Sequence, residues 1–141
     1  MNQTDVESFI AGLANVQRED NFGYAFFFVG DDYRIPFVSI SDSDNDYDRV
    51  SNLDRDGVFR INIGVSRETY DTLFPGPAAP DLDYSVLDTF LPHPEYARQH
   101  FICILNPLQR NTEATRRYIV EAHALATARL SRKSHNQPPS P

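Results

Sequence analysis

The chain is 141 residues long, 40% apolar and 23% charged, which suits one domain with its own core and excludes a fibrous, wholly disordered or membrane-embedded chain. The formal charge is −7, and it becomes −10 without Arg129, Arg132 and Lys133, three cations in a final stretch that holds no acid. A body of that sign repels phosphate backbones, so nucleic acid is disfavoured as a partner.

The longest apolar run, residues 24–29, is far short of the roughly 20 residues a bilayer span needs. Asp5 and Glu7 stand where a signal peptide would place a basic start and an apolar stretch. The single cysteine, Cys103, cannot close an intramolecular bridge. These features together predict a cytoplasmic protein with no membrane contact. The only lysine, Lys133, lies in the polar, Pro-rich end, which leaves no catalytic lysine.

Thr4-Asp5-Val6-Glu7 is a capping-box pattern, and Val6, Phe9, Ile10 and Leu13 follow at helical spacing, which predicts a helix over 5–14. Residues 24–29 are almost all aromatic or β-branched, and Gly30-Asp31-Asp32 supplies turn chemistry before an extended 34–41, so a hairpin is expected. Residues 41–56 are polar and hold six aspartates. Phe59, Ile61, Ile63 and Val65 then alternate with Arg60, Asn62 and Gly64, the pattern of a strand with one apolar face. Ser66 can cap a short helix reaching Phe74, and Pro75, Pro77 and Pro80 enforce a loop. Residues 82–90 are ambiguous, a short extended segment is expected near His93, and 101–105 reads as a strand ended by Asn106-Pro107. A final helix is expected from 111 or 112 to 130. The organisation is therefore a single α+β domain over 1–130 and a disordered tail over 131–141. The element order α-β(3)-α-β(2)-α suits a two-layer α/β sandwich with an antiparallel sheet.

Two strands are apolar on both sides: Tyr24, Phe26 and Phe28 oppose Ala25, Phe27 and Val29, and Phe101, Cys103 and Leu105 oppose Ile102 and Ile104. The sheet face away from the helices must then be covered by loops and residues 75–90, by a second copy of the chain, or by a ligand.

Three separated motifs carry a resemblance: Phe26-Phe27-Phe28; Asn52-Leu53-Asp54-Arg55 followed by Gly57-Val58-Phe59-Arg60-Ile61-Asn62-Ile63-Gly64; and Pro92-His93-Pro94-Glu95-Tyr96 leading to Leu105-Asn106-Pro107. Together they resemble a bacterial family of unknown function over about residues 5–128. More distantly, Pro94-x-Tyr96, His100-Phe101 and a helix carrying Glu121-Ala122 are similar to MmcQ/YjbR-like proteins. That resemblance implies their α-β(3)-α-β(2)-α fold, related to secretion-chaperone-like folds, and a DNA-binding role suggested for some relatives. It brings no reaction and no catalytic residue set.

The candidate catalytic residues are His93, Tyr96 and Arg60, with histidine as a proton carrier near neutral pH and the other two able to orient or stabilise an anion. Asn62, Asp54, Arg55 and His100 are candidate ligand-binding residues. An imidazole between two prolines can equally satisfy backbone groups, and Asp54 with Arg55 can simply pin a loop. Asp42, Asp44 and Asp46 match the start of a calcium loop, but Tyr47 replaces its glycine and Leu53 its bidentate glutamate. Histidines at 93, 100, 123 and 135 lack metal spacing, and no phosphate loop, nucleophile elbow or zinc-protease motif occurs, so neither metal nor cofactor is expected. Three functional readings remain. The first is a non-catalytic binding module that uses an open apolar sheet face and the His93 region to take a small molecule or a protein, including a second copy as a homodimer. The second is a metal-independent acid/base enzyme working through His93 in a biosynthetic or detoxification step. The third is DNA binding by analogy of fold.

Overall fold

The computed structural model describes residues 1–135. Helix α1, Gln3–Ala11, starts two residues earlier than expected, because the capping box is built by Asn2 and Asp5 instead of Thr4 and Glu7. Asn2 Oδ1 accepts the Asp5 amide at 2.8 Å and Asp5 Oδ2 accepts the Asn2 amide at 3.0 Å. The helix stops at Gly12, short of the expected Ala14, and buries Val6 and Ile10.

The chain then forms a strand that the sequence pattern did not predict, β1 (Val16–Asn21). It pairs antiparallel with β2 (Tyr24–Val29) across a two-residue turn, Phe22-Gly23, in which both φ angles are positive, 55° and 79°. That mirror-image turn matches the twist of the strands it joins, and glycine takes its second position without steric cost. The expected pairing of 24–29 with the next strand is also present, but β3 covers only Val38–Ser41. Arg34 is not extended: its backbone amide and guanidinium both donate to Asp32 Oδ1, at 3.3 and 3.0 Å, and fold the connection into a turn.

Strand β4 (Arg60–Gly64), helix α2 (Arg67–Leu73), β5 (Leu91–Pro92), β6 (Phe101–Leu105) and helix α3 (Gln109–His135) follow. Ser66 caps α2 as expected, accepting the Thr69 amide at 3.1 Å. Glu121 of α3 reinforces that cap, accepting the Ser66 amide at 2.9 Å and the Thr69 hydroxyl at 2.8 Å. Helix α3 continues five residues past the expected end, and residues 136–141, the rest of the expected tail, lie outside those described.

Among the described residues the strands form one antiparallel open sheet in the order β1-β2-β3-β4-β6-β5, so the element order is α-β(4)-α-β(2)-α, with six strands and not five. The α+β class holds. One sheet face carries Ala25, Phe27, Val29, Val38, Ile40, Ile61, Ile63, Ile102 and Ile104 against Val6 and Ile10 of α1 and Ile119, Ala122 and Ala126 of α3. Burying each Phe, Ile or Val of this layer stabilises the fold by about 1.5–3 kcal/mol, and the loss of chain entropy offsets most of the sum. Among the described residues no helix is long and apolar enough to cross a membrane.

Candidate functional site

The other sheet face is not the open apolar surface expected from the sequence: the chain itself covers it, and its centre is polar. Leu53 and Val58, from the segment joining β3 to β4, pack with Leu105 in a second buried cluster, and Tyr33 packs on Phe28 with ring centroids 5.0 Å apart. Residues 82–90 have no regular structure and divide: burial and the neighbouring Cys103 raise the Tyr84 phenol on this side, the Leu105 carbonyl accepts the Asp88 amide at 2.7 Å, and Phe90 packs on Tyr118 against the helix-side core.

Residues opposite each other on neighbouring antiparallel strands share a face. The register therefore lines up Phe26, Ser39, Asn62, Cys103 and Leu91 in one row, and Tyr24, Ser41, Arg60 and Leu105 in the next. The centre of this face is polar and almost sealed: Arg60 is 0% exposed and Asn62 2%. A buried guanidinium requires a counter-charge and partners for its donors. Arg60 Nε donates to Asn62 Oδ1 at 3.0 Å, Nη1 donates to Ser51 Oγ at 3.0 Å and to Asp48 Oδ1 at 3.2 Å, and Nη2 donates to Asp48 Oδ2. Tyr24 donates its hydroxyl to the same carboxylate, and Asn62 Nδ2 donates to Ser39 Oγ at 3.0 Å.

These contacts fix protonation states. Burial alone would raise the Asp48 carboxyl, but hydrogen bonds from Arg60 and Tyr24 and the charge of Arg60 hold it below the usual carboxylate range. Burial likewise opposes the Arg60 charge, and Asp48 outweighs it. The Tyr24 phenol is pushed up to about 12 by burial and by its bond to Asp48. The Cys103 thiol is also pushed up to about 12, by burial, with Arg60 opposing.

His93 sits at the end of this face, 7% exposed, beside the edge strand β5. Its amide donates to the Phe101 carbonyl at 2.9 Å, and its ring packs against Tyr96 with centroids 5.0 Å apart. Nδ1 accepts two backbone amides, from Glu95 and Tyr96, each at 3.0 Å. A nitrogen that accepts two N–H groups has no room for a proton of its own, so the ring proton is on Nε2. Burial first, then the charge of Arg60, depress the imidazole to about 4, with Asp48 opposing.

The remaining candidates are dispersed. Tyr96 is 51% exposed and flanks His93. His100 ends a short 3-10 turn with φ 65°, and its ring lies 5.6 Å from that of Tyr70 on α2, on the helix side of the sheet. Arg55 donates to three backbone carbonyls, those of Asn52 at 2.8 Å, Ser51 at 3.1 Å and Ser85 at 2.9 Å. Asp54 accepts the Asp44 amide at 3.1 Å, while Asp44 accepts the Leu53 amide at 2.9 Å. Asp54 and Arg55 also border a shallow open cleft of about 570 Å³ with Gln3, Asp42, Asp56 and Gly57. The calcium-like aspartates diverge: Asp42 accepts from Gln3, Asp44 from Leu53, and Asp46 pairs with Arg49. Among the described residues no group of three or more His, Cys, Asp or Glu gathers to hold a metal.

A family model described as a family of unknown function, DUF6194, matches residues 1–135. The chain belongs to this family. No curated protein and no solved structure matches it. For this DUF6194 chain the structure thus joins Arg60 and Asn62, and electrostatics couple His93 to Arg60, while Asp54, Arg55 and His100 lie in other surroundings. Asp48, Ser51, Ser39 and Tyr24 complete the arrangement without having been singled out by the sequence. A buried strand arginine was itself the signal that an acid from the Asp-rich segment had to meet it.

Proposed function

We propose that this chain is a non-catalytic binding module, and that the end of the second sheet face around His93 takes a small molecule or a protein partner. The observation that carries the reading is the His93 ring, held in one orientation by the Glu95 and Tyr96 amides at the end of this face and flanked by the half-exposed Tyr96. Tyr24 and Cys103 move to about 12, His93 to about 4, and Asp48 and Arg60 are locked in their charged forms. General acid/base work needs a pKa close to the working pH, whereas recognition needs fixed charges and fixed donors. Kinship with the MmcQ/YjbR-like proteins is supported by the shared order from β2 to α3, with β1 as an added strand at the sheet edge.

Native mass spectrometry of the purified protein tests the reading, because it reports subunit count and co-purified ligand together. A discrete adduct on a monomer, or a dimer, is the expected result. A bare monomer that also retains nothing from a metabolite mixture would overturn it.

A further inference from the structure

The turn that joins β1 to β2 holds Phe22 in a backbone conformation its side chain disfavours. Its φ is 55°, a region that asparagine, aspartate or glycine enters at less cost than a bulky aromatic residue. Gly23 beside it answers an internal need, because a Cβ there would meet Ser43 Oγ at 2.5 Å. Phe22 answers none: it is 81% exposed. An exposed apolar residue alone needs no explanation, but one kept against its conformational preference while burying little is a cost the fold does not recover.

A second aromatic projects from the same end of the sheet. Tyr47 is 92% exposed, in the turn closed by Asn45 and Asp48, where its amide donates to Asn45 Oδ1 at 2.8 Å. Asp48 accepts the hydroxyl of Tyr24, two residues after Phe22, and Gly23 lies against Ser43, so the hairpin tip and the Asp-rich segment adjoin. Residues 19–23 and 41–48 hold six acids and no cation. Guanidiniums from outside these stretches meet Asp20, Asp46 and Asp48, whereas Glu19, Asp42 and Asp44 meet none among the described residues. Two aromatic rings on short, closed turns thus stand in a surplus of negative charge. Aromatic anchors supply contact energy at an interface and the surrounding charge selects the partner, here a cationic one. The same field repels nucleic acid and anionic membranes.

We propose that the Phe22 hairpin tip, together with Tyr47, is a docking surface for a basic polypeptide segment of a partner protein. Apolar side chains of that segment cover the two rings, and its lysines or arginines face Glu19, Asp42 and Asp44. The surface lies towards the β1 edge of the sheet, at the far side from the β5 edge beside His93, so it goes beyond the His93 reading and does not depend on it.

The test is an amide NMR titration of uniformly ¹⁵N-labelled full-length protein at constant ionic strength. The probe is acetyl-Lys-Leu-Lys-Phe-Lys-Leu-Lys-amide, with heptalysine and the same peptide carrying glutamate for every lysine as comparators. The expected result is a saturable shift of amides in 19–24 and 42–50 with the probe, an affinity for heptalysine about tenfold or more weaker, and no saturation with the acidic peptide. Phe22→Asn leaves the charge unchanged and suits a positive φ, so it should bind the probe about tenfold more weakly while Tm holds or rises. Tyr47→Ser should weaken binding several-fold. An unchanged affinity in Phe22→Asn, or equal affinities for the probe and heptalysine, would overturn the proposal by reducing the contact to charge alone. A fall in Tm in Phe22→Asn would assign the ring to the fold instead. Concentration-dependent shifts of the same amides without peptide, lost in Phe22→Asn, would give the tip to a second copy of the chain and overturn the basic partner. Saturation by the acidic peptide, shifts confined to other residues, or no saturable shift with the probe would remove the surface.

Discussion

Replacing Asp48 with alanine removes the one carboxylate that, among the described residues, is bonded to a guanidinium with no exposure of its own. Of the four hydrogen bonds Arg60 donates, two go to Asp48, and the remaining two, to Asn62 and Ser51, carry no opposing charge. Breaking a buried pair from one side costs about 3–5 kcal/mol. The Asp48 side chain is 11% exposed, so water entering the vacated space relieves part of the loss, and the lower end, about 3 kcal/mol, applies. For a chain of this size that corresponds to a fall in Tm of about 10 °C. Urea unfolding followed by far-ultraviolet circular dichroism should show the same loss with an unchanged slope. Tyr24→Phe deletes a single bond to the same carboxylate and should cost only about 1 kcal/mol. Asp48→Leu combined with Arg60→Met removes both charges, and its stability should return to within about 1 kcal/mol of the parent. A loss below about 1 kcal/mol for Asp48→Ala would refute the reasoning, since it would mean that water already reaches the pair in solution.

The His93 imidazole falls from 6.5 in the unfolded chain to about 4 in the fold, so between those values the unfolded chain binds a proton that the folded chain excludes. Stability should therefore decline as pH falls from 6.5 to about 4, by about 3 kcal/mol from this group, and His93→Asn should abolish that part of the decline in urea titrations taken across the window. Asp48, held below its ordinary value of 3.8, adds a further loss only at lower pH, as protons reach it in the fold. Cys103, buried and with its thiol pushed up to about 12, should resist iodoacetamide in the native protein and react freely in concentrated urea; prompt native alkylation would contradict its burial. Gly30→Ala places a Cβ at φ 62° and 2.7 Å from Leu130 Cδ2, and should cost about 1–2 kcal/mol in thermal unfolding, with Leu130→Ala relieving only the steric share.

The elements that were legible in the sequence are those whose pattern and environment agree. The apolar alternation of β4, the unbroken runs of β2 and β6, and the Ser66 cap of α2 each point to what is observed. Strand β1 was not legible, because Val-Gln-Arg-Glu-Asp-Asn lies at the sheet edge with all but its first residue exposed, and an edge strand in water needs no apolar alternation. The start of α1 moved because Asn2 with Asp5 forms the box that the Thr4 and Glu7 pattern also offered two residues later. Around the candidate site, Arg60 and Asn62 read as the polar side of their strand, and the doubly apolar strands flanking them were the sign that this face is covered. Cys103 and Phe26 share the row of Asn62, and a row with apolar members on both sides is a covered one. Which of the six aspartates between 41 and 56 would meet Arg60 depended on the turn closed by Asn45 and Asp48, a contact set by loop geometry and not by spacing.

Arg55 ties the two coverings of the second face together. Its guanidinium holds the carbonyls of Ser51 and Asn52 in one segment and of Ser85 in another, three strong acceptors of segments that contribute little regular ladder of their own. A single side chain therefore does for these loops what a shared strand does inside a sheet: neither can lift without breaking bonds that also hold the other. Opening of the face becomes one cooperative event with one free-energy cost. Hydrogen exchange at the amides sheltered beneath both loops then belongs to a common opening unit instead of a set of independent frays.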